Sequence, residues 1–303
     1  MCGFIGFSGQ LAEKEAVLQR MMARIVHRGP DMGGAYTDED IALGFRRLSI
    51  LDLSEAGAQP MKSEDGNVVV TFNGEIYNFM ELRRELEEKG HHFHCHADTE
   101  VLVHGYEEWG TRLVHRLRGM YGFVIWDKAN RRLFGARDMF GIKPFYYSPL
   151  PGGKGLLFGS EIKGFLEHPL FEKAVNENAL LPYLTLQYSA TEETFFKGVY
   201  KLPAAHYFTY ENGKLDIQRY WDCEFAPKEQ SFDACADELD KAVHESVAAH
   251  RIADVKVGAF LSGGVDSSYI TACLMPDNTF SVGLITISLM KQITPQSYRK
   301  SWA

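Results

Sequence analysis

Short apolar runs separated by glycine, proline and aspartate fill residues 2–220, and this punctuation limits the fold more than any other feature of the chain. It predicts strands over 2–7, 41–45, 68–73, 121–127, 132–137, 145–147 and 156–160. Helical spacing interrupts them in separate blocks: 12–25, where Leu18, Met21, Met22 and Ile25 recur three and four apart, then 78–89 and 100–109. Many strands with helices set apart read as α+β, two sheets with helices outside, rather than as a repeating βαβ chain. The pattern changes after Trp221. A polar stretch, EFAPKEQ, leads to a helix over 232–250 in which Leu239, Val243 and Val247 recur every four residues. An almost wholly apolar strand over 255–261 then runs into SGGVDSS, and a helix over 267–275 comes next. Apolar strand, glycine-rich turn and helix are how a parallel α/β domain begins. The expected organisation is therefore one domain over 2–220 and a second over 221–303, without internal repeats.

Composition narrows the function classes. Hydrophobic residues at 45% and charged residues at 24% place the chain among folded rather than disordered proteins. With 32 Lys and Arg against 40 Asp and Glu the net charge is −8, so neither nucleic acid nor a membrane surface is expected as a partner. No run reaches the ~18 apolar residues of a spanning helix, and MCGFIGFSGQ lacks the basic region of a signal peptide, so a cytoplasmic location is expected. Cys2, Cys95, Cys223, Cys235 and Cys273 are odd in number and lack C-x-x-C spacing, which argues against a disulfide framework or a zinc site. A cysteine that matters here matters as a thiol.

Cys2 is the most informative of them. Removal of Met1 leaves it with both a thiol and the free α-amino group, which titrate near ~8.5 and ~7.7–8.0, so one residue holds a nucleophile and its base. The plainer reading is a small buried strand residue. Further segments supply the rest of an acyl-transfer site for an amino-acid amide. RRLSI at 46–50 carries a guanidinium suited to an α-carboxylate; NGEIYN at 73–78 offers a side-chain amide and a glycine N–H, the donor pair of an oxyanion hole. DTE at 98–100 carries a carboxylate for an ammonium, and HRGPD at 27–31 a turn able to cover the thiol. Each has an ordinary alternative: a solvated arginine, a hairpin turn, a helix N-cap.

Taken in order, MCGFIGF, HRGPD, RLSI, FNGEIYN, DTEV, GMYGFVIWD, LFGARDMFGIKPFYY and GSEIK resemble the glutaminase domain of class II (N-terminal nucleophile) glutamine amidotransferases, in the asparagine synthetase branch. The resemblance implies a four-layer αββα sandwich. It implies that Cys2 attacks the glutamine side-chain amide, forming a thioester, releasing ammonia and then hydrolysing to glutamate. Arg47, with Leu48, Ser49, Ile50 and Leu51, would bind the α-carboxylate end; Asn73 and Gly74 would form the oxyanion hole; Glu75 and Asp98 would hold the α-amino end. The chain departs from the family at Met139, where a second arginine is common, and at LPAAH over 202–206, where LPPGH is usual.

The histidine run HHFHCHAD is a distractor. On a strand, His92, His94 and His96 would share one face, and a polar strand face is favoured there over a metal site because a line of imidazoles does not surround a tetrahedral point.

SGGVDSS at 262–268 has the context of a phosphate site, with Gly263 and Gly264 N–H groups and the hydroxyls of Ser262, Ser267 and Ser268 near a helix start. It has no G-K-[ST] and is not a Walker A loop. It resembles the PP-loop of ATP pyrophosphatases. That resemblance implies the start of an α/β adenine-nucleotide domain, with ATP against Leu261, Ser262, Gly263, Gly264, Val265, Asp266, Ser267 and Val282, and Mg2+ near Asp266. In this family the second domain adenylates the aspartate β-carboxylate, and ammonia displaces AMP. Too little chain lies beyond the loop for a complete nucleotide-binding sheet. The tail over 284–303 turns apolar and then basic where the family continues acidic, which suggests a frameshift. The expectation is an amidotransferase using glutamine, aspartate and ATP, possessing a whole glutaminase half and an incomplete synthetase half, with a homodimer as one arrangement. The alternatives are an inactive product acting only through association, or an amidotransferase for another carboxylate.

Overall fold

The structure, a computed structural model, describes residues 1–283, so the expectations for the tail over 284–303 fall outside the described residues. The chain divides into two compact units, the first spanning Met1–Glu224 and the second beginning at Phe225.

The first unit is built on two antiparallel sheets. One contains β1 (Gly3–Ser8), β2 (Met32–Thr37), β3 (Ile41–Arg47), β8 (Tyr146–Pro149), β9 (Leu156–Gly159) and β10 (Tyr200–Lys201), in the order β10-β8-β9-β1-β3-β2. The other contains β4 (Met61–Lys62), β5 (Val68–Ile76), β6 (Gly119–Asp127), β7 (Arg132–Arg137), β11 (His206–Glu211) and β12 (Lys214–Arg219), in the order β12-β11-β7-β6-β5-β4. Alternation along the strands decides what each sheet face meets. Phe4, Leu43, Phe45 and Phe158 project into a core shared with Val69, Val124, Trp126 and Phe208 of the second sheet. Their sequence neighbours Ile5, Ala42 and Leu157 project the other way, onto Leu18, Met21 and Met22 of α1 (Lys14–Arg24). Helices α2 (Phe79–Glu88) and α3 (Thr99–Trp109) belong with the second sheet, where Tyr106 of α3 stacks on Phe134 of β7 with ring centroids 5.6 Å apart. The result is the four-layer αββα sandwich that the resemblance implies. A short helix, α4 (Leu180–Leu186), comes after β9 in the chain.

Three features differ from the sequence reading. β5 continues through Gly74 and Glu75 to Ile76, because its ladder with β6 runs unbroken from Val68↔Asp127 to Ile76↔Gly119, so NGE is mid-strand rather than a turn. Strands β2, β11 and β12 lie outside the expected set; the last two flank an Asn212-Gly213 turn with φ values of 52° and 77°, as a tight hairpin requires. Residues 91–97 are not a strand, so His92, His94 and His96 do not form the expected polar strand face. The Glu100 carboxylate takes the N–H groups of His94 and Cys95 at 2.7 and 3.0 Å, and Asp52 takes that of His96 at 2.9 Å, leaving those donors unavailable for a ladder.

In the second unit Ser231 caps α5 (Phe232–His250) by accepting the Ala234 N–H at 3.2 Å. The expected apolar strand over 255–261 shortens to β13 (Gly258–Phe260), parallel to β14 (Asn278–Phe280), with α6 (Val265–Leu274) between them in the chain. β14 is its one neighbour among the described residues, and Phe260 is 80% exposed, so the segment is not the buried strand its composition suggested. No helix among the described residues is long and apolar enough to cross a membrane.

Candidate active site

Cys2 heads the central strand of the first sheet. The register Gly3↔Arg46 between β1 and β3 sets it beside the end of β3, where the Leu48 N–H points at its Sγ and Sγ points at the Leu48 carbonyl, both at 3.4 Å. The HRGPD turn closes over the same place. Arg28 Nε donates to the Cys2 carbonyl at 2.9 Å, and Asp31 accepts the Ser49 N–H at 2.9 Å. Burial pushes the thiol up from its ordinary range; the Leu48 N–H, the nearby chain amino group and Arg47 oppose that shift. That amino group is the one on Met1, and it is itself pushed down, first by burial.

Arg47 is buried, and its guanidinium is turned onto the loop just after β3. Nη1 donates to the Ser54 carbonyl at 2.8 Å, and Nη2 to the carbonyls of Leu51, at 3.2 Å, and Asp52. The arginine thus folds residues 51–54 into one wall of a cleft.

β5 supplies the opposite wall. Asn73 is almost fully buried, and its Nδ2 has no hydrogen-bond partner among the described residues. The N–H groups of Phe72 and Ile76 point away from β6, onto Gln59 Oε1 at 2.6 Å and Asp98 Oδ2 at 2.8 Å. Strand alternation directs the Gly74 N–H to that same edge, between them. A Cβ on Gly74 would lie 2.2 Å from the Met120 carbonyl, so only glycine permits the ladder here. Asp98 stands at the N-cap position of α3 yet makes no side-chain cap bond; its carboxylate holds β5 instead. Glu75 and Asp98 are both raised above the ordinary carboxylate range, Glu75 by burial and then by Asp98, Asp98 chiefly by burial.

Cys2, Arg47, Leu48, Gly74, Glu75 and Asp98 line one cleft. Ile50 and Leu51 line it as well, whereas Ser49 and Asn73 are not among its lining residues. Sequence reasoning missed Lys143. It is 7% exposed, pushed down by burial and held back by the negative charges of Glu75 and Cys2. Asp138 accepts its N–H at 2.9 Å and Arg137 Nε donates to its carbonyl at 2.7 Å, so the loop that presents it is fixed. The run ARDMFGIKP is visible as a motif; nothing in it marks the lysine as buried.

In the second unit the SGG loop turns at Gly263, with φ +79°, and Gly264 caps α6. Ser262 and Ser267 hydroxyls are 3.0 Å apart, and Ser268 Oγ donates to the Gly264 carbonyl at 2.8 Å. Val265, Asp266 and Val282 are exposed and Leu261 is buried; Ser281 Oγ donates to the Leu261 carbonyl at 2.6 Å, bringing the residues before Val282 to the loop.

An αββα sandwich with a cysteine at the head of a central strand is the architecture of the N-terminal-nucleophile hydrolases. The structure of glutamine phosphoribosylpyrophosphate amidotransferase from Bacillus subtilis has the same fold, with a TM-score of 0.55 at 15% identity over 100% of this chain and 70% of that one. Residues 1–221 match the family model described as Glutamine amidotransferase domain, and the chain belongs to that family. Residues 238–299 match the model described as Asparagine synthase. Asparagine synthetase [glutamine-hydrolyzing] 1 of Bacillus subtilis is 40% identical over 293 residues, covering 93% of this chain and 46% of the relative. Asparagine synthetase [glutamine-hydrolyzing] 3 of the same organism is 38% identical over 278 residues, covering 90% and 45%. The chain spans about half the length of the curated relatives it matches.

Proposed function

We propose that residues 2–220 hydrolyse glutamine to glutamate and ammonia, with Cys2 as nucleophile. Once Met1 is removed, the Cys2 amino group takes the thiol proton and the thiolate attacks the side-chain amide carbon. Charge gathers on the amide oxygen, where Asn73 Nδ2 and the Gly74 N–H receive it. The amino group returns its proton to the leaving nitrogen, ammonia departs, and water cleaves the thioester to glutamate. Glu75 and Asp98 take the substrate ammonium, which replaces the proton that burial favours on them. Arg47, beside Leu48, Ser49, Ile50 and Leu51, attracts the α-carboxylate, and the carbonyls of Leu51, Asp52 and Ser54 yield guanidinium N–H groups as substrate enters. Lys143 balances the charge of Glu75 and the thiolate. The observation that carries this reading is that Cys2, Arg47, Gly74, Glu75 and Asp98 line one cleft.

Residues 221–303 are read as the beginning of a synthetase domain, with aspartate, ATP and Mg2+ as the further reactants. The positive φ of Gly263 and the exposed start of α6 suit a phosphate group. Leu261, Ser262, Gly263, Gly264, Val265, Ser267 and Val282 would hold ATP and Asp266 the magnesium; ATP supplies activation of a carboxylate. Free thiol chemistry suits a cytoplasmic setting, and light scattering decides on the homodimer. The test is incubation with glutamine, with and without ATP and aspartate. Glutamate and ammonia are expected in both, and Cys2→Ala abolishes them; undiminished hydrolysis by Cys2→Ala overturns the proposal.

A further inference from the structure

The histidine-rich segment carries a cluster that the alternation of His92, His94 and His96 conceals. His91 lies just past the end of α2, while His104 and Glu107 are three residues apart on α3. Glu107 Oε2 lies 3.0 Å from His104 Nδ1 and 3.7 Å from His91 Nδ1, and the three donor atoms all lie within 4.8 Å of one another. Bonds of ~2.0–2.2 Å around a tetrahedral ion place ligand atoms about 3.3 Å apart, so these three need to move little to share one. No other group of this kind occurs among the described residues.

Each ring also faces a carboxylate on its far side. His104 Nε2 faces Glu100 Oε1 at 3.8 Å, and His91 Nε2 faces Glu108 Oε2 at 3.6 Å. Both carboxylates are themselves anchored, Glu100 by the N–H groups of His94 and Cys95, Glu108 by Lys89 Nζ at 2.7 Å. His104 Nδ1 and Glu107 Oε2 lie at hydrogen-bond distance, 3.0 Å, so a cation entering here takes the place of the proton between them. Two rings with one carboxylate between their Nδ1 atoms supply the donor set of a cation site.

We propose that His91 Nδ1, His104 Nδ1 and Glu107 Oε2 form a site for a divalent cation of the zinc class, separate from the glutamine cleft. Two nitrogens and one oxygen suit zinc better than magnesium or calcium. His104 is 2% exposed, whereas His91 and Glu107 reach solvent, leaving a fourth position to water. The ion ties the loop over 91–97 to α3, and this loop runs directly into Asp98.

The test uses the full chain after chelator treatment, titrated with Co2+ as a spectroscopic probe and then with Zn2+. One equivalent of Co2+ is expected, with the visible absorption of a nitrogen and oxygen site and no thiolate charge-transfer band. His91→Ala and Glu107→Gln each weaken binding about tenfold or more, and His92→Ala leaves it unchanged. Both positions reach solvent, so metal-free far-UV spectra and melting midpoints are expected to match those of the parent; if one variant misfolds, the other decides. Absence of a cobalt spectrum, a thiolate band, or affinity unaffected by both substitutions overturns the proposal.

Discussion

A buried amide with nothing to bond to costs roughly 1–3 kcal/mol, and Asn73 bears that cost at Nδ2. In the role proposed above, the developing oxyanion supplies the partner that Nδ2 lacks. Asn73→Ala is therefore expected to lower kcat for glutamine hydrolysis about 10²–10³-fold with little change in KM, measured by steady-state ammonia release. Glu75 and Asp98 make a pH prediction. Unfolded carboxyl groups titrate near ~4, and burial raises both of these in the folded chain. The folded state then keeps protons that the unfolded state has lost, so stability is present on the acid side and falls as pH rises through the raised values. The melting midpoint of the free protein should decline between about pH 5 and 9, and Asp98→Asn should flatten that decline; an unchanged slope removes the pair from the account. Arg47, Asn73, Gly74, Glu75 and Asp98 are all legible as chemistry in the sequence. Lys143 is not, because a lysine in a loop reads as solvated until Arg137 and Asp138 have folded that loop around it.

Among the elements, β5 connects fold and chemistry most directly. Gly74→Ala would push a Cβ into the Met120 carbonyl, so both the melting midpoint and activity should fall together, unlike Asn73→Ala, which spares the midpoint. Phe158 is fully buried between the sheets, and Phe158→Ala is expected to cost about 3–5 kcal/mol in urea unfolding. Strands such as β3 and β7 are legible because composition and turn residues agree with their final burial. β2 is not: MGGAYT has too few branched residues to stand out, and the neighbouring β3 imposes its conformation. The hairpin of β11 and β12 does carry a local signal, the Asn212-Gly213 pair at its turn. The 91–97 segment misleads because alternation is local information, whereas Glu100 and Asp52 claim its N–H groups from elsewhere in the chain.

At the level of the whole molecule, residues 225–231 join the two units as exposed chain without regular structure. Trypsin should cut first after Lys228, and the larger fragment should keep glutaminase activity, monitored by gel and ammonia assay. Loss of activity on that single cut would mean that the sandwich depends on the residues beyond Lys228. The two-unit organisation is legible as a shift from turn-punctuated strands to a helix and an apolar strand. The exposure of Phe260 is not, since composition reports what a strand wants to meet rather than what it has met.

The borders of the two sheets have a consequence for crowded solutions. Of the four borders, β4 and β10 are two residues each, β12 carries Lys214, Asp216 and Arg219, and β2 is six residues without a charge. Short or charged borders offer a stray strand little to pair with. Any strand pairing by the sandwich at high concentration should therefore fall on β2, and a charge placed at Ala35 should suppress it.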